Sequence, residues 1–161
     1  MKDRNYEFSY RIADNIEGLN EEDADLVRQA RELTAIAYAP YSRFHVASVA
    51  RLANGQIVKG TNQENASFPV GICAERSLLA AVGTLYPNEV IETLAVTYKP
   101  ENGVSKQPIS PCGMCRQSLL EYETRVNHPI RLILTGMEGA VFIINTVRDL
   151  LPFAFDEVDL K

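Results

Sequence analysis

Histidine occurs only twice and cysteine only three times in this chain of 161 residues. Basic charge is short as well: 16 Lys and Arg stand against 21 Asp and Glu, for a formal net charge of −5. A basic face, the electrostatic footprint of a nucleic-acid binder, is therefore not expected. No apolar run approaches the ~18 residues that a membrane helix needs. The stretch Met1-Lys2-Asp3-Arg4-Asn5-Tyr6-Glu7 has no apolar h-region, so a secretory signal is not expected there. An odd and small set of cysteines does not make a disulfide framework. In a chain without a signal it suits a reducing cytosol, where clustered cysteines bind metal or do chemistry. Internal repeats, linkers and low-complexity tracts are missing too, and the length suits one domain. What remains is 46% hydrophobic, enough for a real core.

The first 19 residues are mixed in charge and weak in period. Tyr6, Phe8 and Tyr10 alternate, as in a short edge strand or a docked arm. Asn20 is a good N-cap, and Glu21, Glu22 and Asp23 fill the first turn where the helix dipole favours acids. Leu26, Ala30, Leu33 and Ala37 then recur at helical spacing, up to a stop near Pro40. Val46 to Ala53 reads as a strand, Asn54-Gly55 as a type I′ hairpin turn, and Gln56 to Thr61 as the returning strand. After a polar loop, Ala74 to Leu85 reads as a helix opening at Cys73. Ile91 to Tyr98 is a third strand, and Gly113 to Tyr122 a helix. Ile130 to Thr135 and Val141 to Ile144 are the last strands, and Thr146 to Leu151 is a short helix ended by Pro152. Helices alternate with strands behind an opening hairpin. That pattern predicts an α/β fold, a three-layer α/β/α arrangement around a five-stranded mixed sheet. Residues 1–20 are expected to form an arm and residues 21–161 a single domain.

All three cysteines fall in two segments, Cys73-Ala74-Glu75 and Pro111-Cys112-Gly113-Met114-Cys115. Residues two apart on a regular helix point to nearly opposite sides. Cys73 and Glu75 therefore meet at one site only if Cys73 is a non-helical cap and Glu75 lies in the first turn. With Cys112 also at a cap, Cys112 and Cys115 chelate from one helix end. A zinc ion would then sit between two helix N-termini, whose free N–H groups and positive dipoles favour thiolate. Three protein ligands leave a fourth position for water, the mark of a catalytic site. Three thiolates, one dication and one hydroxide carry excess negative charge, which Arg76 beside the site is placed to offset by hydrogen bonding to thiolate. The competing reading of Cys112 and Cys115 is a redox pair or two core thiols, and of Arg76 a solvated helix residue. His45 and His128 are expected at the surface and not as ligands.

Cys-x-Glu followed by Pro-Cys-x-x-Cys is the three-cysteine version of the zinc-deaminase signature, in which the glutamate moves protons. Further segments narrow the match: Pro40-Tyr41-Ser42-x-Phe44, Asn62-Gln63-Glu64-Asn65-Ala66-Ser67, Gly71-Ile72-Cys73-Ala74-Glu75-Arg76, Ser110-Pro111-Cys112-Gly113-Met114-Cys115-Arg116-Gln117, and Leu150-Leu151-Pro152 with Phe155. Over about residues 24–160 the chain resembles the cytidine deaminase family, the small homotetrameric type with three cysteine ligands. The resemblance implies hydrolytic deamination of cytidine and deoxycytidine in pyrimidine salvage, in the cytoplasm. Zinc would be held by Cys73, Cys112 and Cys115, and zinc hydroxide would attack C4 of the base while Glu75 shuttles protons to the ring nitrogen and the departing amine. It also implies that Asn62 and Glu64 hold the ribose hydroxyls, that Phe44 packs on the nucleoside, and that the Ala74 N–H binds the pyrimidine carbonyl. Phe155 would arrive from a neighbouring subunit, completing sites shared within a homotetramer. Phe153, by contrast, is expected to cover its own core. The chain departs from the family at Ala47, where glycine is usual, at His45, and at Phe68, often a tyrosine. These positions bear on substrate preference and not on the chemistry.

Three other readings compete. A related deaminase would act on another cytosine nucleoside, such as a nucleoside antibiotic. A non-catalytic zinc-binding module would close the fourth position and leave Glu75 idle. A nucleic-acid editing deaminase is disfavoured by the acidic charge and by cysteine in place of histidine at the first ligand.

Overall fold

Asn20 starts the first helix as its side chain requires: its Oδ1 accepts from the Asp23 N–H at 2.9 Å. Helix α1 spans Glu21–Leu33, tightens into a 3-10 turn at Thr34–Ile36, and is over before Pro40. The computed structural model describes residues 1–160; Lys161, the last residue of the expected domain, lies outside them.

The strands are β1 (Arg11–Ala13), β2 (Phe44–Leu52), β3 (Ile57–Thr61), β4 (Ile91–Pro100), β5 (Arg131–Thr135) and β6 (Val141–Ile144). They form one sheet in the order β1-β6-β5-β4-β2-β3. The β4–β5 pair is parallel and the others are antiparallel, so the sheet is mixed. It has six strands and not five, because Arg11–Ala13 add β1 to the edge of β6; the alternating Tyr6, Phe8 and Tyr10 lie just before it, in a segment that is neither helix nor strand. Helix α2 (Ala74–Leu85) keeps the expected bounds. Helix α3 (Gly113–Val126) runs four residues longer than expected, to a left-handed Asn127. Its polar last turn is held by the Glu123 carboxylate, which accepts from the Ile130 N–H at 2.7 Å and the Val147 N–H at 3.1 Å. The short helix after β6 is a 3-10 turn, Val147–Leu150, capped by Thr146.

The hairpin between β2 and β3 forms, but not with the expected turn. Gly55 has φ +81° and Asn54 is not left-handed. The Gly55 N–H bonds to the Leu52 carbonyl, so a turn over Ala53 and Asn54 is followed by a left-handed glycine, the three-residue loop with a bulge.

The layers are those expected. Alternation along the strands sends Ala50, Leu94, Leu132 and Ile144 to one face, under α2 and α3. Val49, Ala95, Ile133 and Val141 go to the other, under α1. On the α1 face Asp23, almost fully buried, receives two hydrogen bonds from Arg131, one at 2.8 Å. Burial raises the Asp23 carboxyl, but the Arg131 hydrogen bonds and charge outweigh it and hold the group below the usual carboxylate range. Two expectations fail at the surface. Phe153 is 96% exposed and covers no core. His45 is half-buried, its Nδ1 3.2 Å from the Ala37 carbonyl. Among the described residues no helix is long and apolar enough to cross a membrane.

Candidate active site

The site is built where two helices begin. Cys73 and Cys112 are the N-caps of α2 and α3, both in extended conformation, and Cys115 sits one turn into α3. The parallel β4–α3–β5 crossover carries α3 back over the sheet face that α2 already covers. The two first turns thereby come together. Gly60 on β3 sets how deep α2 lies. A Cβ there would stand 2.4 Å from the Ala74 carbonyl oxygen and 2.6 Å from the Leu78 nitrogen. Only glycine lets the strand approach the helix backbone this closely.

The three sulfurs lie within 4.8 Å of one another. Cys73 to Cys112 is 3.8 Å and Cys112 to Cys115 is 3.4 Å. A zinc ion with ~2.3 Å bonds at tetrahedral angles spaces its sulfurs by ~3.8 Å, so the cluster fits such an ion. The protonation of the thiols agrees. Cys73 is pushed down to about 6, first by a hydrogen bond from Cys115, against burial, and then by one from Cys112 and by the charge of Arg76. Cys115 is pushed up, chiefly because it keeps the proton it donates to Cys73, and further by burial. Three sulfurs this close do not ionise together unaided; a dication among them removes the conflict.

Glu75 lies in the first turn of α2 and is 4% exposed. Burial holds its carboxyl above the usual range, against hydrogen bonds from its own backbone N–H and from Cys115. With Ala74 and the three cysteines it lines a cavity of about 300 Å³, which Asn62 and Glu64 also line. The sugar-side candidates are already partly engaged. Asn62 Nδ2 donates to the Phe44 carbonyl at 2.9 Å, and its Oδ1 accepts from the Val46 N–H at 2.8 Å. Glu64 Oε2 accepts from the N–H groups of Tyr41 at 2.9 Å and Ser42 at 3.3 Å. The Ser42 side chain first, and then these amides, hold the Glu64 carboxyl below the usual range.

The remaining candidates stand elsewhere. Phe44 stacks on Tyr98 with ring centroids 5.0 Å apart and does not line the cavity. Phe155 is 60% exposed, its carbonyl held by Gln117 Nε2 at 2.9 Å. Arg76 is close enough for its charge to lower Cys73, but it lines the outer groove between α2 and α3. Sequence reasoning assigned no role to Arg116, which fixes the second cysteine segment by donating to Pro111 O at 2.9 Å, Leu150 O at 3.1 Å and Ser110 Oγ at 2.9 Å. Its position directly after Cys115 was the available signal. The apolar walls Val46, Ile72 and Ile109 carried none.

Three thiols lining one cavity, with a buried carboxylate alongside, are the arrangement of a zinc deaminase. The family model for the cytidine and deoxycytidylate deaminase zinc-binding region matches residues 20–127. A cytidine deaminase from Halalkalibacterium halodurans is 33% identical over 139 residues, which are 84% of this chain and 96% of that one. The crystal structure of a cytidine deaminase from Burkholderia pseudomallei superposes with a TM-score of 0.71 at 33% identity, covering 85% of this chain and 100% of the other. A blasticidin-S deaminase from Bacillus cereus is 27% identical over 142 residues, 85% of this chain and 94% of its own. The chain belongs to the cytidine and deoxycytidylate deaminase family.

Proposed function

We propose that this protein is a cytidine deaminase, converting cytidine and deoxycytidine to uridine and deoxyuridine with release of ammonia, in pyrimidine salvage. The observation that carries the reading is the meeting of three cysteine sulfurs and the buried Glu75 at a cavity that Asn62 and Glu64 also line. Cys73, Cys112 and Cys115 would hold zinc, with a fourth position open. A zinc ion bound there supplies Lewis-acid activation of water, lowering its pKa to about 7.

The residues of the chain do the rest. Glu75, whose raised carboxyl keeps a proton readily, accepts one from the nucleophilic water and delivers it to the ring nitrogen next to C4. Once the water oxygen has bonded to C4, Glu75 takes that oxygen's remaining proton and passes it to the amine, so that the C4–N bond breaks, ammonia leaves and C4 keeps a carbonyl. The Ala74 N–H, an unused donor in the first turn of α2, binds the pyrimidine carbonyl. Asn62 and Glu64 take the sugar hydroxyls, for which a carboxamide and a carboxylate are natural partners. Phe44, whose carbonyl accepts from Asn62 Nδ2, packs on the bound nucleoside. Arg76 tempers the negative charge of the thiolates. Phe155 reaches a neighbouring subunit's site in a homotetramer. Residues 21–161 make up the deaminase domain and residues 1–20 an arm. Three free thiols suit the reducing cytoplasm.

The test is purified protein with cytidine, followed by loss of absorbance as uridine forms, alongside elemental analysis for zinc. No turnover by zinc-loaded protein, or a preparation that takes up no zinc, would reject the reading. The blasticidin-S deaminase relative favours a second reading, a deaminase of another cytosine nucleoside. A substrate panel with cytidine, deoxycytidine and blasticidin S separates the two.

A further inference from the structure

Strand β1 lies outside the family match, which begins at residue 20, and it ends the sheet on one side. On its inner side Arg11, Ile12 and Ala13 pair with β6. Among the described residues its outer edge faces no strand, and residues 1–10 before it adopt neither helix nor strand. An open edge is a template for another strand. Tyr6, Phe8 and Tyr10 in the segment before it and Ile12 within it alternate in sequence and are each between 46% and 58% exposed. Alternate residues of an extended chain share a face, so the four would make one apolar row once the segment before β1 is drawn into a strand. Its middle already packs against the sheet, with ring centroids 6.0 Å apart from Phe8 to Tyr10 and 5.2 Å from Tyr10 to Phe142 on β6. Arg4, Glu7, Arg11 and Asp14 flank it with both signs of charge, and none of them makes an ion pair among the described residues.

We propose that residues 4–10 lengthen this edge on association, and that residues 4–14 pair antiparallel with the same residues of a second copy about a two-fold axis at Ser9. Around a two-fold axis, facing residues must have the same parity, because only alternate residues turn their N–H and C=O toward the partner. The axis therefore passes through a residue, and the sequence chooses which one. Centred on Phe8, Arg4 faces Ile12 and Glu7 faces Ser9. Centred on Tyr10, Tyr6 faces Asp14. Centred on Arg11, two arginines face each other. Centred on Ser9, Glu7 faces Arg11, Arg4 faces Asp14, Phe8 faces Tyr10 and Tyr6 faces Ile12, each twice by symmetry. Opposite charges and apolar pairs directly across from one another are what stabilise a strand pair. The sheet then runs through both copies and the open edge is covered. The contact lies at the opposite end of the sheet from β3, against which α2 begins, so it is separate from the active site.

The test is Ser9→Cys in the full zinc-loaded chain under mild oxidation. Facing residues in such a pair have Cα atoms ~4.5–5.5 Å apart, inside the ~4.4–6.8 Å that a disulfide spans. A reducible two-chain species is expected that the parent, with its own three cysteines, does not form. Phe8→Cys and Tyr10→Cys should link much less. Adding Arg11→Glu to Ser9→Cys should lower the linked fraction about fivefold at low salt, and adding Glu7→Arg as well should restore it. No linkage above the parent, stronger linkage through Phe8→Cys or Tyr10→Cys, or linkage unmoved by the charge reversals would overturn the pairing.

Discussion

Glu75 occupies a helical first turn, where a glutamate ordinarily does no more than match the dipole. Its burial beside the cysteine cluster is what separates it from Glu21 and Glu22, exposed in the corresponding turn of α1. The buried position also keeps the carboxyl from ionising as readily as an exposed one, as a group that must accept and return protons requires. Glu75→Gln removes the exchangeable proton and preserves shape. Zinc content and fold should be unchanged while turnover falls at least ~10²–10⁴-fold, the usual worth of general acid–base catalysis. Steady-state rates beside metal analysis check this, and turnover within a few-fold of the parent would take Glu75 out of the mechanism. The motif spacing made this residue legible before any coordinates. Asn62 and Glu64 were legible only through the family resemblance, since a loop carboxamide and carboxylate have no period or spacing that marks them. Their neighbours in the fold, Tyr41, Ser42 and Phe44, lie about twenty residues away in the chain.

The elements position the chemistry through two close contacts. At Gly60 the atoms a Cβ would meet are backbone, the Ala74 oxygen and the Leu78 nitrogen, and cannot rotate away. Gly60→Ala must push the start of α2 outward and carry Cys73 and Glu75 with it. A misplacement near 1 Å costs ~10²-fold in rate, so kcat should fall by about that factor while circular dichroism stays that of the parent. An unchanged kcat would mean that the first turn tolerates the shift. On the other face, α1 is pinned through Asp23 and Arg131. The folded-state carboxyl of Asp23 is depressed, so its stabilisation is fully present above the unfolded value of about 3.9 and is lost as pH falls through the folded value. Asp23→Ala should cost about 2 kcal/mol at pH 7 in chemical denaturation, and the gap from the parent should narrow below pH ~4. A gap that is constant with pH would show that the loss is packing alone. The helices and strands were readable from period, caps and turn residues nearly to their ends. The exceptions have physical reasons. Helix α3 outran its apolar pattern because Glu123 is satisfied by distant backbone N–H groups, and the added strand β1 depends on pairing with β6, which placed it at Arg11–Ala13 and not on the alternating aromatics before it.

At the scale of the whole molecule, several large apolar side chains stand out into solvent. Phe68 at the cavity is 74% exposed, Val70 64%, and in the tail Phe153 is 96% and Phe155 60% exposed. In a monomer these would be solvated for no gain. In an oligomer of closed symmetry, each tail would close a neighbour's site. Aromatic stacking on the base contributes about 0.5–1.5 kcal/mol beyond area burial, so Phe155→Ala should raise the Michaelis constant about three- to tenfold with zinc content whole. That change alone does not say whose site Phe155 enters. Mixed oligomers do. Chains carrying Glu75→Gln contribute an intact Phe155 but no working site, and chains carrying Phe155→Ala contribute a working Glu75 but no tail aromatic. If the tail acts in its own subunit, mixing them yields only the weak Michaelis constant of the Phe155→Ala homo-oligomer. If it acts across the interface, some sites unite Glu75 of one chain with Phe155 of another, and a fraction of the turnover recovers the parent's Michaelis constant. The recovered fraction should grow with the proportion of Glu75→Gln chains, because each Phe155→Ala site then more often meets an intact tail. Mixtures that have demonstrably exchanged subunits, yet recover nothing at any ratio, would return Phe155 to its own chain.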